Sequence, residues 1–355
     1  MPAYINAIAT AVPQHEVHDF YMKFAASQLG ALPREQAIFR RLAGKSAIER
    51  RYSCLAPSDD PEGGPLDANG VFQRGHFPST AVRMALYEAH APALALQAIE
   101  GLGEDFDRGA VTHLVVGSCT GYAAPGLDLA IVVQAGLAPS VERTVIGFMG
   151  CYSAVNGLKL ARHIVRSEPD AVVLVVNLEL CTLHFKETAD LERLLTFCLW
   201  GDGATAAIVS AEPSGIRLDG FRALLATEAS DYMTWRVCDD GFDMFLSGHV
   251  PTAIRSTLDS HRAEILDGAG EHNIDLWAVH PGGRSILDAI ENLLDLPPPA
   301  LSPSRQVLRE QGNMSSATVM FVLKAMLASA RGGENGVAMA FGPGLTAETF
   351  TFAVQ

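Results

Sequence analysis

The chain has 355 residues, of which 48% are hydrophobic and 19% charged, and its formal net charge is −14. This length is too great for one simple core and suits two related halves packed as one unit. The negative charge argues against nucleic acid or an anionic membrane as a partner, and no run of about 18 uninterrupted apolar residues predicts a membrane span.

Strand-like apolar runs alternate with helical patterns along the chain. In chain order, the predicted elements are helix 79–102, strand 112–117, helix 151–165, strands 171–177, 204–209 and 276–280, helices 284–294 and 315–330, and strands 336–341 and 349–354. This alternation predicts an α/β fold in which helices cover parallel or mixed sheets.

Turn-forming residues divide this pattern at three places. Residues 211–215 (Ala-Glu-Pro-Ser-Gly) predict a connector between a first half, residues 1–210, and a second half, residues 211–355. Residues 55–78, rich in Asp, Pro and Gly, predict a surface loop, and the three prolines at 297–299 predict another.

The cysteines show no metal-binding spacing. There are six of them without a CxxC pair, namely Cys54, Cys119, Cys151, Cys181, Cys198 and Cys238. The first residues lack a basic segment followed by an apolar run, so the sequence predicts no signal peptide and a cytoplasmic location. In that reducing compartment we expect free thiols and no zinc site.

Cys151 lies in the segment GFMGCYSA (147–154), between a strand-like run and a helical pattern. Gly150 permits a sharp turn, and the start of a helix offers free N–H groups and a dipole that favour a thiolate. Cysteine is also a common packing residue. This position alone therefore leaves a nucleophile and a buried structural cysteine equally open.

Two further positions strengthen the interpretation as a nucleophile. His280 ends a predicted strand before a Gly-rich turn and a helix, and Asn313 also precedes a helix. Sites collect at such strand ends in open α/β folds. An isolated histidine or Gly-Asn pair is more often structural. All three residues lie in turns that lead into helices, and this shared placement is less easily explained by chance than each residue alone. Together they predict an acyl-transfer site formed by Cys151, His280 and Asn313.

These turns resemble the motifs of the thiolase-like superfamily, and specifically the chalcone synthase-like (type III) polyketide synthases of the bacterial branch. The matching segments are KSAIERRY (45–52), GCYSA (150–154), WGDGA (200–204), HPGG (280–283), GNMSSA (312–317) and FGPGLTAET (341–349). The resemblance implies a thiolase-like fold of two pseudo-duplicated halves in αβαβα layers. The nucleophilic Cys lies in the first half and His and Asn in the second. It also implies a homodimer.

The resemblance further implies the chemistry. Cys151, activated by His280, takes an acyl group from an acyl-CoA. His280 and Asn313 then stabilise the enolate formed when malonyl-CoA loses carbon dioxide. Repeated condensation and cyclisation would give a pyrone, resorcinol or phloroglucinol-type product. Because decarboxylation supplies the nucleophile, we expect no metal and no redox cofactor.

The same resemblance predicts the residues that line the substrate cavity, namely Cys119, Cys181, His184, Trp200, Met244, Ser315, Gly342, Pro343 and Gly344. Trp200 and Met244 stand where the plant enzymes carry gatekeeper phenylalanines, and Cys119, Cys181 and His184 stand where they tend to carry threonine. Thiols in place of hydroxyls make the cavity less polar. We therefore expect a fatty acyl starter and an alkylpyrone or alkylresorcinol, with phloroglucinol or tetrahydroxynaphthalene from malonyl-CoA alone as the alternative.

Coenzyme A carries several phosphates, and Arg41 and Lys45 match basic positions of the family's CoA tunnel. They lie on one face if residues 38–45 are helical, although a solvated basic face would look the same. Arg50 and Arg51 are weaker candidates because basic side chains there also serve internal ion pairs.

Three alternatives remain at this stage. A β-ketoacyl carrier-protein synthase of the fatty-acid-initiating type shares the Cys-His-Asn triad but condenses once; GNMSSA and GPGLT disfavour it. A hydroxymethylglutaryl-CoA synthase-like enzyme would use a glutamate base and lacks the GNMSSA context. A non-catalytic scaffold of the same fold would have degraded catalytic positions, whereas all three are present here.

Overall fold

One mixed sheet of nine strands runs through the molecule, within residues 1–30, 33–266 and 273–355, which this computed structural model describes. The strands are β1 (Ala3–Ala11), β2 (His15–Glu16), β3 (Tyr52–Ser53), β4 (His113–Ser118), β5 (Glu142–Gly147), β6 (Val173–Leu180), β7 (Asp202–Ser210), β8 (Ile216–Leu225), β9 (Met233–Cys238), β10 (Gly241–Leu246), β11 (Leu276–Val279), β12 (Asn335–Gly342) and β13 (Thr346–Val354). The large sheet has the order β11-β12-β13-β8-β1-β7-β6-β4-β5, and two small ladders join β2 to β3 and β9 to β10.

Helices cover this sheet on both faces. They are α1 (His18–Gln28), α2 (Pro33–Ala43), α3 (Thr80–Glu100), α4 (Leu127–Ala135), α5 (Ser153–Ser167), α6 (Leu191–Phe197), α7 (Val250–Ser260), α8 (Arg262–Ile265), α9 (Arg284–Leu293), α10 (Ser302–Gln311) and α11 (Thr318–Leu327). No helix among the described residues is both long and apolar enough to cross a membrane.

The halves of the chain meet at β1, which pairs antiparallel with β7 on one side and with β8 on the other. The pairs β4–β5, β4–β6 and β11–β12 are parallel, whereas β6–β7, β12–β13 and β13–β8 are antiparallel. The predicted mixed α/β sheet is therefore confirmed.

Three buried apolar layers lie between the helices and the strands. Because many strands are covered on both faces, their sequences are nearly continuous hydrophobic runs. Successive side chains of a strand point to opposite faces. In β6, Leu174 and Val176 thus pack under α3 and α4, while Val173 and Val175 pack against α5 and α11.

The second half repeats this pattern. In β12, Ala338 faces the layer of α5 and α11, whereas Val337 and Met339 face α7, α9 and α10. Helices, strands, central helices, strands and helices follow one another, which is the αβαβα arrangement that the family resemblance implies.

The predicted elements are found with small shifts at their ends. Helix 151–165 begins as a 3-10 turn, Gly150–Tyr152, before α5, and helix 315–330 begins as a 3-10 turn, Ser315–Ala317, before α11. α2 ends at Ala43, so Lys45 lies beyond it and the assumed helix 38–45 is too long. The sequence analysis gave no bounds for α1, α4, α6, α7, α8, α10, β1, β2, β3, β5, β8, β9 and β10. For β5 it expected only a strand-like run before Cys151.

Residues 55–78 contain no helix or strand of the sheet, as predicted, but they are more than a surface loop. Leu66 and Phe72 are fully buried in the layer under α3. The Asp67 carboxylate accepts hydrogen bonds from the main-chain N–H groups of Asn69, Val71 and Phe72. The loop is therefore fixed by its apolar side chains and by one buried carboxylate.

Candidate active site

Cys151 occupies the tight turn between β5 and α5. Gly150 has φ +68°, and a Cβ there would overlap the ring of Pro343. Only glycine therefore fits before the cysteine. The Gly150 N–H donates to Cys119 Sγ at 2.9 Å, and Gly342 packs so close to Tyr152 and the Cys151 nitrogen that it too has no room for a side chain. The FGPGL loop thus supports the turn that carries Cys151.

His280 follows the last residue of β11. Its main-chain N–H continues the ladder by donating to Met339 O of β12 at 2.8 Å. The ring is almost completely buried, yet neither ring nitrogen has a hydrogen-bond partner among the described residues. A buried imidazole without partners is unusual in a packed core and is typical of a group that awaits a ligand.

Asn313 is held by both its main chain and its side chain. Its N–H donates to Leu199 O at 2.8 Å, and its carbonyl accepts from the Gly201 N–H at 3.0 Å. Its Oδ1 accepts from the Ser315 N–H at 2.9 Å, and Nδ2 donates one hydrogen to Gly282 O at 3.2 Å. The other Nδ2 hydrogen is left for a bound molecule. Ser315 has φ +46°, so this turn is strained at a non-glycine residue.

The three predicted catalytic residues line one cavity of about 180 Å³. Its remaining walls are mainly apolar and include Leu199, Met233, Leu246, Val250, Ile286 and Phe341. The cavity shares Thr196, Gly248 and Ser285 with a surface depression of about 680 Å³. The cysteine therefore lies at the inner end of a passage with an outer mouth.

The sequence matches the family profile "Chalcone and stilbene synthases, N-terminal domain" over residues 2–213 and the corresponding "C-terminal domain" profile over residues 223–354. The chain belongs to the chalcone and stilbene synthase family. The resemblance seen in the motifs is thereby confirmed for nearly the whole chain, and with it the thiolase-like fold.

Two curated relatives of this family are 33% identical to the chain. One is the "alpha-pyrone synthesis polyketide synthase-like Pks18" of Mycobacterium tuberculosis, aligned over 99% of this chain and 91% of its own length. The other is bisdemethoxycurcumin synthase of Oryza sativa, aligned over 98% and 91%. The type III polyketide synthase domain of Steely1 from Dictyostelium has the same fold, with a TM-score of 0.90 at 23% identity, over 100% of this chain and 99% of that one. The protein is a type III polyketide synthase and hence an acyltransferase.

Beyond Cys151, the described residues of this polyketide synthase enclose a small inner chamber of about 30 Å³. Its walls are formed by Cys119, Cys181, Trp200, Trp235, Met244 and Ser315, together with Pro343 and the catalytic Cys and Asn. Such a volume holds one or two water molecules. Seven of the predicted cavity residues are thus placed where expected or beside it: six line this chamber, and Gly342 lies against the cysteine turn.

Trp235 is a chamber residue that the sequence analysis missed, and Thr120 and Gly150 also line the chamber without having been predicted there. It lies opposite Met244 in the β9–β10 hairpin, and its Nε1 donates to Cys119 O at 2.8 Å. Its ring meets that of Trp200 edge-on, with centroids 5.6 Å apart. The hydrogen bond and the ring contact fix Trp235 more firmly than Met244. The hairpin pairing of positions 235 and 244 was the signal that could have revealed it.

Two predicted cavity residues lie elsewhere. His184 is behind the chamber wall: one ring nitrogen is 2.8 Å from Thr120 O, the other accepts the Phe242 N–H at 3.0 Å, and the ring stacks on Phe242. Burial lowers the pKa of His184 to about 3, so it is neutral. Gly344, with φ +78°, forms the turn of the loop rather than a cavity wall. Neither His184 nor Gly344 lines the chamber; each supports a segment that does.

The environment of Cys151 does not favour the thiolate that was predicted from the sequence. Burial raises the pKa of the Cys151 thiol to about 12, only partly offset by a hydrogen bond with Ser315. Burial likewise lowers the pKa of His280 to about 3. Both groups are therefore neutral, because loss of hydration outweighs the field of a helix that begins two residues after the cysteine.

Glu179 is a buried carboxyl group directly behind the chamber. It accepts hydrogen bonds from the Cys119 N–H (2.9 Å), the Thr120 hydroxyl (2.8 Å) and the Ser316 hydroxyl (2.6 Å). Burial raises its pKa to about 7. It joins the end of β4 to the GNMSSA turn, and a lone acidic residue in the apolar run of β6 was the sequence signal for it.

The predicted CoA contacts separate in space. Lys45 lines the surface depression at the mouth of the passage, whereas Arg41 lies on the exposed surface of α2 outside it. Arg284, at the start of α9, also lines the mouth and was not predicted. Arg50 is exposed, 3.9 Å from Glu310, and Arg51 is buried. The described residues bring no three His, Cys, Asp or Glu side chains together as metal ligands.

Proposed function

We propose that Cys151 carries the growing acyl chain and that His280 and Asn313 bind the thioester oxygen of malonyl-CoA while it loses carbon dioxide. One observation carries this proposal. Cys151, an imidazole without protein partners and an amide with one free N–H line the same partly open cavity. This is the set of groups that thioester condensation requires.

The first half-reaction loads the starter. Cys151 Sγ attacks the thioester carbonyl of an acyl-CoA while its proton passes to His280. The carbon–sulfur bond to CoA then breaks, and the departing thiolate takes that proton. A neutral imidazole suits this step because it can first accept the proton and then return it.

The second half-reaction extends the chain. The C–CO₂ bond of malonyl-CoA breaks, and its electron pair forms an enolate whose oxygen accepts hydrogen bonds from the neutral His280 ring and Asn313 Nδ2. The enolate carbon attacks the acyl-Cys151 thioester and releases the sulfur. The lengthened chain returns to Cys151 for another round. Because decarboxylation supplies the electron pair, the reaction as proposed needs neither a metal nor a redox cofactor.

The mouth of the passage supports CoA thioesters as substrates. Apolar walls suit the pantetheine arm, and Lys45 and Arg284 provide cations for the phosphates where the chain as a whole is acidic. Lys45 is better placed for this than Arg41. We propose Lys45 and Arg284 as the phosphate ligands.

The small inner chamber bears on the starter and the product. A volume of about 30 Å³ closed by Trp200 and Trp235 disfavours the fatty acyl starter expected from the sequence. We propose instead a short starter, few extensions and a compact pyrone. The α-pyrone synthesis named for Pks18 supports this ring type.

Removing the larger gatekeeper tests the chamber. Trp200→Ala is expected to admit longer starters or add extension rounds while Cys151 is still acylated. The reason is that the indole ring lines both the passage and the chamber, so its removal enlarges both. Mass spectrometry of products gives the chain length. The matched control is Trp277→Ala, which removes an equally buried indole in the layer under α9. An unchanged product profile for Trp200→Ala would refute the gatekeeper role.

A second copy of this chain is the proposed partner, giving a homodimer. β5 is the last strand of the sheet, and Val145 on β5 and Val133 on α4 are 52% and 70% exposed. Leu129, Tyr122 and Met149 add apolar surface nearby. An exposed apolar patch beside an unpaired edge strand is typical of a protein–protein interface. Here β5 can pair with β5 of a second copy of the chain.

The dimer proposal predicts the effect of one charge. Val133→Asp is expected to convert the protein from dimer to monomer in sedimentation-velocity experiments, since a carboxylate would be buried at the interface. Val237→Asp, at a 60% exposed position in β9, is the matched control and should remain dimeric. A wild-type monomer, or a dimer for Val133→Asp, would contradict the proposed dimer interface.

A cytoplasmic location stays a prediction of the sequence.

The whole function is tested by incubating the protein with malonyl-CoA and a panel of acyl-CoA starters and identifying products by mass spectrometry. A cyclised polyketide that requires Cys151 supports the proposal and names the starter. Activity with malonyl-carrier protein alone and a single condensation would favour the initiating-synthase alternative. Absence of any Cys151-dependent product would overturn the proposed catalytic role.

A further inference from the structure

Arg51 is a fully buried guanidinium group without a carboxylate partner among the described residues. Its Nε donates to His18 Nδ1 at 3.2 Å, and its Nη1 donates to the carbonyls of Phe197 and Trp200 at 3.0 and 2.8 Å. Burial, together with the charge of Arg51, lowers the pKa of His18 to about 4, so this partner is a neutral acceptor. A buried cation that forms no direct ion pair is costly, even with Glu16 and Asp202 near enough to favour its charged form. The hydrogen bonds that the Arg51 guanidinium makes should therefore explain why a cation is buried here.

The guanidinium holds the segment that carries Trp200. Phe197 is the last residue of α6, and helix ends leave carbonyl groups unpaired. One cationic side chain binds the carbonyls at both ends of residues 197–200. Asn313 forms two hydrogen bonds with this segment and the residue after it. The Asn313 N–H donates to Leu199 O, and the Asn313 carbonyl accepts from the Gly201 N–H. Movement of this segment would therefore move Asn313 as well.

The aliphatic part of Arg51 supports Asn313 from the other side. Gly312 has φ +71°, and a Cβ there would lie 2.9 Å from Arg51 Cγ and 3.1 Å from Cδ. The main chain just before Asn313 therefore rests directly on the arginine stem. The guanidinium and the stem contact two different segments, and both segments lead to the active-site cavity.

We propose that Arg51 is a positioning residue that fixes the Asn313 side chain and the Trp200 ring relative to each other. The proposal rests on the function proposed above for Asn313 and Trp200. Cys151 lies on the turn before α5, and none of the hydrogen bonds of Arg51 reaches that turn. Loosening Arg51 should therefore impair decarboxylation and starter selection but not the loading of Cys151.

The test compares two rates in Arg51→Met and Arg51→Lys. Carbon dioxide release from malonyl-CoA is expected to fall about 10- to 100-fold in Arg51→Met, because small displacements of a catalytic group cost about that much. Single-turnover acylation of Cys151, followed by intact-protein mass spectrometry, should be unchanged. Arg51→Lys should recover part of the decarboxylation rate, since an ammonium group can still donate to one of the two carbonyls.

Arg83 provides a matched control. It is equally buried, stacks on Phe72 and donates to the carbonyls of Pro78, Leu183 and Phe185. Arg83→Met should lower thermal stability yet leave the ratio of the two rates unchanged. The same ratio in Arg51→Met as in wild type would overturn the positioning role. If Arg51→Met does not fold, an unchanged ratio in Arg51→Lys overturns it equally. Wild-type protein without either rate would instead overturn the proposed function.

Discussion

Cys151→Ala is expected to abolish product formation from every acyl-CoA starter while malonyl-CoA is still decarboxylated. Loading needs the sulfur, because Cys151 is the one cysteine among the described residues that line this cavity. Enolate formation needs only His280 and Asn313, which the substitution leaves in place. Measuring polyketide by mass spectrometry and carbon dioxide in the same reaction separates the two steps.

Two other thiols of the inner chamber serve as controls for this experiment. Cys119→Ala and Cys181→Ala remove buried thiol groups that line the chamber with Cys151, but neither is proposed to carry the chain. Both variants should keep covalent loading. An acyl group found on Cys119 or Cys181 in the Cys151→Ala protein would show that the nucleophile has been misassigned.

Asn313→Ala is expected to lower the rate of malonyl-CoA decarboxylation about 100- to 1000-fold. Its Nδ2 is held in place by Gly282 O and its Oδ1 by the Ser315 N–H, so the free N–H points in a fixed direction. Such a preorganised donor acts on the enolate without reorganising during the reaction. Carbon dioxide release under saturating malonyl-CoA gives the rate, and acylation of Cys151 should persist.

Asn313→Asp is the informative companion variant. It keeps the shape of the side chain and the acceptor for the Ser315 N–H, but it replaces the donor by a carboxylate oxygen. The rate should fall at least as far as in Asn313→Ala, because a negative charge opposes the enolate. Near-wild-type decarboxylation by Asn313→Asp would exclude the donor role.

The sequence predicted the parts of the site that depend on local geometry. Gly150 and Gly312 need positive φ, and each stands directly before a catalytic residue, so the turns were visible as motifs. Secondary structure was predictable where apolar runs were long, as in β6. Only a strand-like run without bounds was expected at β5, whose exposed and partly charged residues lie at the edge of the sheet.

The remaining features depend on residues that are distant in sequence. The protonation state of Cys151 follows from how completely later segments bury it. Trp235 enters the chamber only because the β9–β10 hairpin folds over Cys119. Arg51 was considered for a phosphate or an ion pair, and its actual partners, the carbonyls of Phe197 and Trp200, are main-chain groups that no sequence pattern identifies.

The position of β1 between β7 and β8 has a consequence for how the chain is made. Tyr4 pairs with Ser210 and Ala3 with Leu218, so at least one edge of β1 stays unpaired until the ribosome has delivered both later strands. Contacts between segments so far apart slow folding, and an unpaired strand edge invites association with other chains. During synthesis this strand is therefore open to association with other chains until both of its neighbours have been made.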